Sequence, residues 1–222
     1  NSIINSKETI GDTVANLSSK GLLNISGVNG SNNDRAATFV NDGEIVADAG
    51  FNLYSDSIVN KNNIKATGDS DWRFSSLKNI TESAEKPSRI SVDGHWTLGT
   101  ASDRVGTVDN NGKLYGKSIN LYSNDDVENN ESSQLVAYEG SLLIDTLGNI
   151  NNDGSIYSKN NFTLKSALSI NNNATIESVN DEAPASLMSA MVVNNGNGLD
   201  KSGTIKVASD LTLSAEIFNI SK

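Results

Sequence analysis

The residues best suited to chemistry or binding cluster between positions 66 and 107. This stretch holds both tryptophans, the single histidine and three of the four arginines. Tryptophan and arginine are concentrated at the energetically dominant positions of binding interfaces. The stretch therefore predicts a contact surface for a partner, with these candidate residues: Trp72, Arg73, Phe74, Arg89, His95, Trp96 and Arg104.

A second interpretation of the same aromatic residues is structural, and it is the one we favour. Large aromatic side chains are mostly buried in folded proteins. Trp72, Phe74 and Trp96 would then pack against the rest of the fold. Arg73 adds little to a surface formed by Trp72, because neighbouring residues of a strand point to opposite faces.

Catalysis has little support in the sequence. The chain has no cysteine and one histidine, which excludes thiolate nucleophiles and multi-histidine metal sites within one chain. His95 has no nucleophile motif near it, and the acidic residues are scattered. Asp125 and Asp126 are adjacent, but adjacent strand residues point apart. The sequence predicts no enzyme, no cofactor and no metal.

Charge and composition narrow the possible partners. The 222-residue chain carries 17 basic and 27 acidic residues, a formal net charge of −10 and a pI near 4.5. A phosphate backbone repels such a surface, so a nucleic-acid partner is not expected. No apolar run approaches the ~20 residues of a membrane span. Asparagine and serine, at 32 and 31 residues, exceed a quarter of the chain, so the fold depends on how the apolar residues are patterned.

Six segments share one template, in which an apolar residue is followed two places later by Asn and six places later by Ile or Leu. They are Phe39–Ile45, Ile58–Ile64, Val108–Leu114, Ile150–Ile156, Ile170–Ile176 and Leu199–Ile205. The last segment has Lys201 at the Asn place. In the others the residue is Asn41, Asn60, Asn110, Asn152 or Asn172. Gly or Asn two places further on tolerates the positive φ that a tight corner often needs.

A second block follows four of these segments, as FNLYS at Phe51, INLYS at Ile119, FTLKS at Phe162 and LTLSA at Leu211. Its alternation of apolar and polar residues is strand periodicity. A repeat of about 20 residues made of short strands buries its apolar face only by stacking on the next repeat. The sequence therefore predicts an all-β fold, a right-handed parallel β-helix with about 20 residues per coil. The template asparagines would form a hydrogen-bonded ladder at one corner, as stacked amides do in cross-β structures.

The units NDGSIYSKNNFTLKS and NNGKLYGKSINLYS resemble the repeats of filamentous-haemagglutinin-like exoproteins. These are the large secreted partners of two-partner secretion, and they include adhesins, haemolysins and contact-dependent growth-inhibition effectors. The resemblance covers residues 38–65, 108–178 and 199–218, about half of the chain. It implies a β-helical filament that an outer-membrane transporter partner exports to the surface of a Gram-negative cell.

Two details indicate which part of such an exoprotein the chain resembles. The family's secretion domain carries Asn-Pro signatures, whereas Pro87 follows Lys86 and Pro184 follows Ala183. The chain is therefore expected to lie outside the secretion domain. Residues 127–130 read VENN, the tetrapeptide that marks the pretoxin junction of growth-inhibition effectors. Val-x-Asn also matches the asparagine ladder, and we interpret it as part of the ladder.

Three stretches interrupt the repeat within a single predicted β-helix domain over residues 1–222. Residues 26–37 are polar and turn-forming, and they predict a protruding loop. Residues 66–107 depart from the template and predict a strand-bearing insertion outside the helix. Residues 179–198 contain Asp181 followed by EAPASLMSAM, with Pro184 near the first turn. This pattern predicts a short capped helix or an irregular excursion.

These observations predict a non-catalytic, monomeric segment of a secreted bacterial surface filament. It would mediate adhesion or bind a receptor or glycan on a target cell, which is either a host cell or a neighbouring bacterium. The alternative is a carbohydrate-active β-helix, such as a tailspike-like or lyase-like glycan depolymerase, which would need clustered carboxylates. A third hypothesis is a structural spacer without a ligand.

Overall fold

The computed structural model describes residues 2–6, 15–27, 34–197 and 200–220, and within them the chain is all-β, with no helix. The 25 strands of these described residues are, in chain order, β1 (Ser2–Asn5), β2 (Asn16–Ser19), β3 (Leu23–Ile25), β4 (Ala36–Asn41), β5 (Glu44–Ala47), β6 (Phe51–Asn60), β7 (Asn63–Ala66), β8 (Ser70–Arg73), β9 (Ser76–Ile80), β10 (Arg89–Leu98), β11 (Thr107–Asn111), β12 (Lys113–Ser123), β13 (Val127–Asn129), β14 (Gln134–Ala137), β15 (Leu142–Thr146), β16 (Ile150–Asn152), β17 (Ser155–Ser158), β18 (Phe162–Ser166), β19 (Ser169–Asn172), β20 (Thr175–Ser178), β21 (Ala185–Ser189), β22 (Val192–Asn195), β23 (Thr204–Val207), β24 (Leu211–Ser214) and β25 (Ile217–Ile220).

The strands stack in parallel along three faces. Face 1 contains β1, β4, the end of β6, β9, β11, β13, β16, β19, β22 and β25. Face 2 contains β2, β5, β7, the start of β10, the start of β12, β14, β17, β20 and β23. Face 3 contains β3, the start of β6, β8, the end of β10, the end of β12, β15, β18, β21 and β24. Each coil visits the faces in this order, so the predicted parallel β-solenoid is confirmed.

The register of the coils is set by their apolar interior. Ile150 stands opposite Ile170, and Ile156 stands opposite Ile176. All four side chains are buried, as the template predicts for residues that point inward. A slip by one residue would turn every one of these side chains to solvent.

The length of the coils varies because extra residues are placed in the turns. Consecutive ladder asparagines are 19 residues apart at Asn41 and Asn60 and 20 apart at Asn152 and Asn172, close to the predicted coil length. Other rungs are 23 or 31 residues apart, so the coils have roughly 23 residues on average, more than the predicted 20. The first described coil is longer, with 36 residues between Asn5 and Asn41. The strands keep their register across these differences.

An inner ladder of asparagines runs along the corner where face 1 ends. In the described residues it has nine members, which are Asn5, Asn41, Asn60, Asn79, Asn110, Asn129, Asn152, Asn172 and Asn195. Each of the first eight donates its side-chain Nδ2–H to Oδ1 of the next at 2.7–2.9 Å, and Asn195 donates to Gly203 O. Each of these amides also donates to a backbone carbonyl near the corner, as Asn152 does to Thr175 O at 3.1 Å. The ladder confirms the predicted stacking of Asn152 on Asn172 and satisfies amides that are shielded from water.

Four ladder members lie outside the template from which the ladder was predicted. Asn5, Asn79, Asn129 and Asn195 are missed because the next inward apolar residue comes at an irregular distance after them. The structure places Asn129 of the VENN sequence in the ladder, as we interpreted it. Lys201 is not a ladder residue, because Asn195 occupies that rung. Leu199, the first residue of the sixth template, lies outside the described residues.

Serine residues close a second corner, between face 3 and face 1. Ser55, Ser123 and Ser166 end the second sequence block, and all three are buried. Ser123 Oγ donates to Gly106 O at 2.6 Å, and Ser166 Oγ donates to Gly148 O at 2.7 Å. The same hydroxyl-to-backbone hydrogen bond between coils therefore recurs at this corner.

The glycines after the ladder asparagines are required for space rather than for a positive φ. Among the described glycines, only Gly99 and Gly196 have a φ angle in the left-handed region. A Cβ at Gly43 would lie 2.2 Å from Ala15 O, and one at Gly112 would lie 2.1 Å from Ser88 Oγ. The expectation of a left-handed corner at these glycines is wrong, because the neighbouring coil passes too close for any side chain.

Residues 66–107 are not an insertion. They contribute β8, β9 and β10 to the three faces, in register with the coils on either side. Leu77 and Asn79 occupy the places of Ile58 and Asn60 one coil earlier. The spacing in this coil does not match the template because residues 81–88 lengthen one turn. The predicted insertion is therefore corrected to a run of regular coils.

Residues 179–197 do not form the predicted short helix, and residue 198 lies outside the described residues, as do residues 28–33 of the predicted loop. Residues 179–197 contain β21 and β22, and alternate residues of β21 point inward. Leu164 in the previous coil pairs with Leu187, and the exposed edge of that coil supplies the hydrogen-bond partners of a strand. This tertiary pairing overrides a local helix signal, since strand preference depends on packing context.

The inner ladder predicts a large effect of Asn152→Leu. Leucine leaves the amide of Asn129 and the carbonyl of Asn172 without their partner, at about 1–3 kcal/mol for each buried group. We expect a clear fall in the free energy of unfolding, measured by urea denaturation. Asn161→Leu is the control, because among the described residues the side chain of Asn161 accepts a single hydrogen bond, from Ser141 at an exposed position, and its backbone contacts are kept in the variant. Equal losses in the two variants would contradict the ladder's role.

Candidate functional site

The aromatic candidates of the 66–107 stretch lie in the interior. Trp72, Phe74 and Trp96 are fully buried. The ring of Trp72 meets Phe51 edge-on at 5.5 Å between centroids and Trp96 at 5.1 Å. The Trp72 Nε1–H donates to Phe51 O at 2.8 Å. These three rings are enclosed by the solenoid and cannot present a contact surface to a partner.

Two of the candidate arginines are held by carboxylates of the same chain. Arg73 pairs with Asp71 through Nη1, and its Nε–H donates to Asp103 at 3.1 Å. Arg104 donates from Nη2 to Asp145 Oδ1 at 2.8 Å. Both side chains are largely buried. The structure therefore uses these two cations to join neighbouring coils.

His95 is engaged on both ring nitrogens. Its Nε2 lies 3.0 Å from the side-chain nitrogen of Asn120, and its Nδ1 lies 2.7 Å from Ser118 Oγ. Arg89 differs from the other candidates because it is exposed, with its guanidinium 4.7 Å from the centre of the Tyr115 ring.

A concave surface lies elsewhere, on face 1 toward the end of the described chain. It is an open groove of about 880 Å³. Polar side chains line most of it, and Phe218 and Ile220 line it at the last strand. Its residues belong to successive coils from β13 to β25, so the groove runs along the solenoid axis.

An outer ladder of side-chain amides forms one row of the groove. Among the described residues, each member donates Nδ2–H to the preceding coil: Asn219 to Asn194, Asn194 to Asn171, Asn171 to Asn151, and Asn151 to Glu128 Oε1, at 2.6–2.7 Å. The donors point toward the N-terminal end, opposite to those of the inner ladder. The chain of amides thus ends on a carboxylate, the acceptor that forms the strongest such hydrogen bond.

A second row runs parallel to the outer ladder, two residues further along each coil. It contains Asp153 and Asn173, whose amide donates to Asp153 Oδ1 at 3.2 Å. Lys201 Nζ contacts the same carboxylate oxygen at 2.8 Å. The two rows give the groove a lining of amides and carboxylates, groups that bind hydroxyl-rich ligands rather than apolar ones.

Glu128 is the electrostatically perturbed group of the groove. Burial raises the pKa of its carboxyl above the ordinary value, while the hydrogen bond from Asn151 opposes this shift. The neighbouring carboxylates of Asp126, Asp109 and Asp153 raise the pKa further. Within the described ranges, no group of three or more His, Asp or Glu side chains is arranged to hold a metal ion.

The sequence contained a signal for this groove that the template did not use. The outer ladder occupies the second place of the repeat, which tolerates any residue. In three coils that place is also asparagine, giving the doublets of β16, β19 and β22, which are Asn151–Asn152, Asn171–Asn172 and Asn194–Asn195. In a strand, one asparagine of each doublet points inward and the other outward.

Comparison of the chain with protein-family models, with curated proteins and with solved structures gives no match. In the described part of the chain, no helix has the length and apolar character of a membrane span.

The two buried tryptophans predict different responses to replacement by phenylalanine. Trp72→Phe removes the hydrogen bond to Phe51 O, worth about 0.5–1.5 kcal/mol. The Nε1–H of Trp96 has no partner among the described residues, so Trp96→Phe removes an unsatisfied donor. We expect Trp72→Phe to lower the thermal midpoint more than Trp96→Phe. The reverse order in calorimetry would contradict the assigned hydrogen bonding.

The raised pKa of Glu128 predicts that the difference in stability between wild type and Glu128→Gln depends on pH. The folded chain holds the Glu128 proton more tightly than the unfolded chain, so this contribution is present below the unfolded-state pKa and is lost as pH rises through the raised folded-state pKa. Glu128→Gln keeps an acceptor for Asn151 without the charge. We expect a higher melting temperature than wild type near pH 7 and an equal one near pH 3. A lower melting temperature at pH 7 would show that the carboxylate stabilises the fold.

Proposed function

We propose that this chain is a segment of a large secreted surface filament of a Gram-negative bacterium and that it attaches to target cells through the groove on face 1. The single observation that carries this proposal is the exposed polar groove along an otherwise regular solenoid. An outer-membrane transporter would export the filament, and the receptor or glycan would lie on the target cell.

The solenoid architecture supports a filament role. Successive coils are joined through the inner ladder, the serine corner and the apolar interior, and none of these depends on a particular end of the structure. Such a stack extends by adding coils, as solenoids do, because each repeat contacts only its neighbours. The resemblance of two units to filamentous-haemagglutinin-like repeats agrees with this role.

The distribution of side chains supports attachment through the groove rather than through residues 66–107. The tryptophans of that stretch are buried, and Arg73 and Arg104 are already paired. The groove presents amide and carboxylate groups from several consecutive coils. A ligand that lies along the axis can therefore contact these groups on several coils at once.

The proposal predicts saturable attachment of the purified chain to cells. Fluorescently labelled chain is incubated with cultured epithelial cells and, separately, with Gram-negative bacteria, and bound fluorescence is measured by flow cytometry. We expect saturable binding to at least one cell type and at least about a tenfold loss of apparent affinity in an Asn171→Ala/Asn194→Ala double variant. These side chains are on the surface, so the thermal midpoint should change little.

Asn24→Ala is the matched control for attachment. Asn24 is an exposed asparagine of face 3 that accepts a cross-coil hydrogen bond from Asn52 at 3.0 Å, outside the groove. It should bind cells as wild type does. No saturable binding to either cell type would contradict the proposal and favour a spacer. Release of new reducing ends from surface polysaccharide would favour the glycan-cleaving alternative.

A further inference from the structure

The outer ladder leaves unused hydrogen-bonding capacity along the groove. A carboxamide has two N–H donors and an oxygen with two lone pairs. Asn171 uses one N–H toward Asn151 and accepts one hydrogen bond from Asn194. Asn194 is placed in the same way between Asn171 and Asn219. Among the described residues, each amide rung therefore retains at least one N–H and one lone pair that can face a ligand, while Glu128 at the end of the row offers acceptors only.

These donor and acceptor pairs repeat with the spacing of the coils. Neighbouring strands of a sheet lie ~4.8 Å apart. The rungs from Glu128 to Asn219 span four such intervals, or about 19 Å. One pyranose ring adds a similar length to an extended, β-1,4-linked sugar chain, and its hydroxyl groups both donate and accept hydrogen bonds. The row of rungs thus matches the repeat of such a chain.

The charge of the groove selects against anionic ligands. Glu128 and Asp153 line it, and Lys201 contacts Asp153 directly. The chain as a whole has a formal net charge of −10. Sulfated or uronic-acid chains would be repelled by these carboxylates, whereas an uncharged chain would not.

We propose that the groove binds an uncharged, β-1,4-linked chain of pyranose sugars laid along the solenoid axis, with one sugar for each coil from β13 to β25. This inference rests on the proposed attachment function and names the class of its ligand. The amide rungs contact the hydroxyl groups of successive sugars.

The test is isothermal titration calorimetry of the whole chain with defined oligosaccharides. The probes are β-1,4-linked oligomers of glucose and of N-acetylglucosamine, from the disaccharide to the hexasaccharide, and a heparin hexasaccharide. We expect the dissociation constant to fall at least about tenfold between the disaccharide and the pentasaccharide of one neutral series, with no further gain at the hexasaccharide. The heparin probe should not bind.

Two single substitutions test whether the oligosaccharide binds in the groove. Asn171→Ala should weaken binding of the neutral pentasaccharide about tenfold, while Asn24→Ala should leave it unchanged. In NMR spectra, the side-chain amide signals of Asn171 and Asn194 should shift during the titration. Absence of binding by both neutral series, tighter binding of heparin, or an affinity independent of chain length would overturn the inference.

The outcome is separable from that of the attachment proposal. If the chain attaches to cells but neither neutral hexasaccharide competes, the sugar ligand is wrong and attachment stands. If the oligosaccharides bind as expected but no cell type is bound, the groove has the predicted ligand and the attachment proposal fails.

Discussion

The rest of the structure depends on the requirement that a buried amide must have hydrogen-bond partners. An asparagine that points into the solenoid satisfies this requirement only when another asparagine lies one coil away in the same register. The inner ladder meets it from Asn5 to Asn195 through coils of unequal length. A shift of one coil by a single residue would break two hydrogen bonds and also expose the apolar residues beside them. Hydrogen bonding and apolar burial thus specify the same register.

The same side chain has a second use on the outside of the solenoid. Where the residue before a ladder asparagine is also asparagine, as at Asn151 and Asn171, the outer amides form their own ladder in the opposite direction. In water this ladder adds little stability, but it fixes the orientation of each amide. A row of oriented polar groups at the coil spacing is a suitable template for a ligand with a similar repeat, because little side-chain freedom is lost on binding.

The fold was predictable from the sequence because the repeat encodes it. The pairings of Ile150 with Ile170 and of Asn152 with Asn172 follow directly from a template that recurs every 19 or 20 residues. The prediction of an insertion at residues 66–107 is wrong because aromatic residues occupy interior positions there and one turn is long. Asn79 therefore does not fit the spacing of the template. The strand at Ala185–Ser189 was also misjudged, since its pairing with the previous coil outweighs local helix signals.

The groove could not be predicted in the same way. Its position depends on which outward-facing residues lie next to each other in consecutive coils, and the template does not specify outward-facing residues.

The claim that a buried asparagine ladder determines the fold can be tested through hydrogen exchange of side-chain amides, followed by NMR in D₂O. The Nδ2 protons of inner-ladder residues such as Asn60 and Asn152 should exchange only through unfolding, while those of Asn171 and Asn194 exchange rapidly. Equally rapid exchange of both sets would contradict a buried, hydrogen-bonded ladder as the basis of this fold.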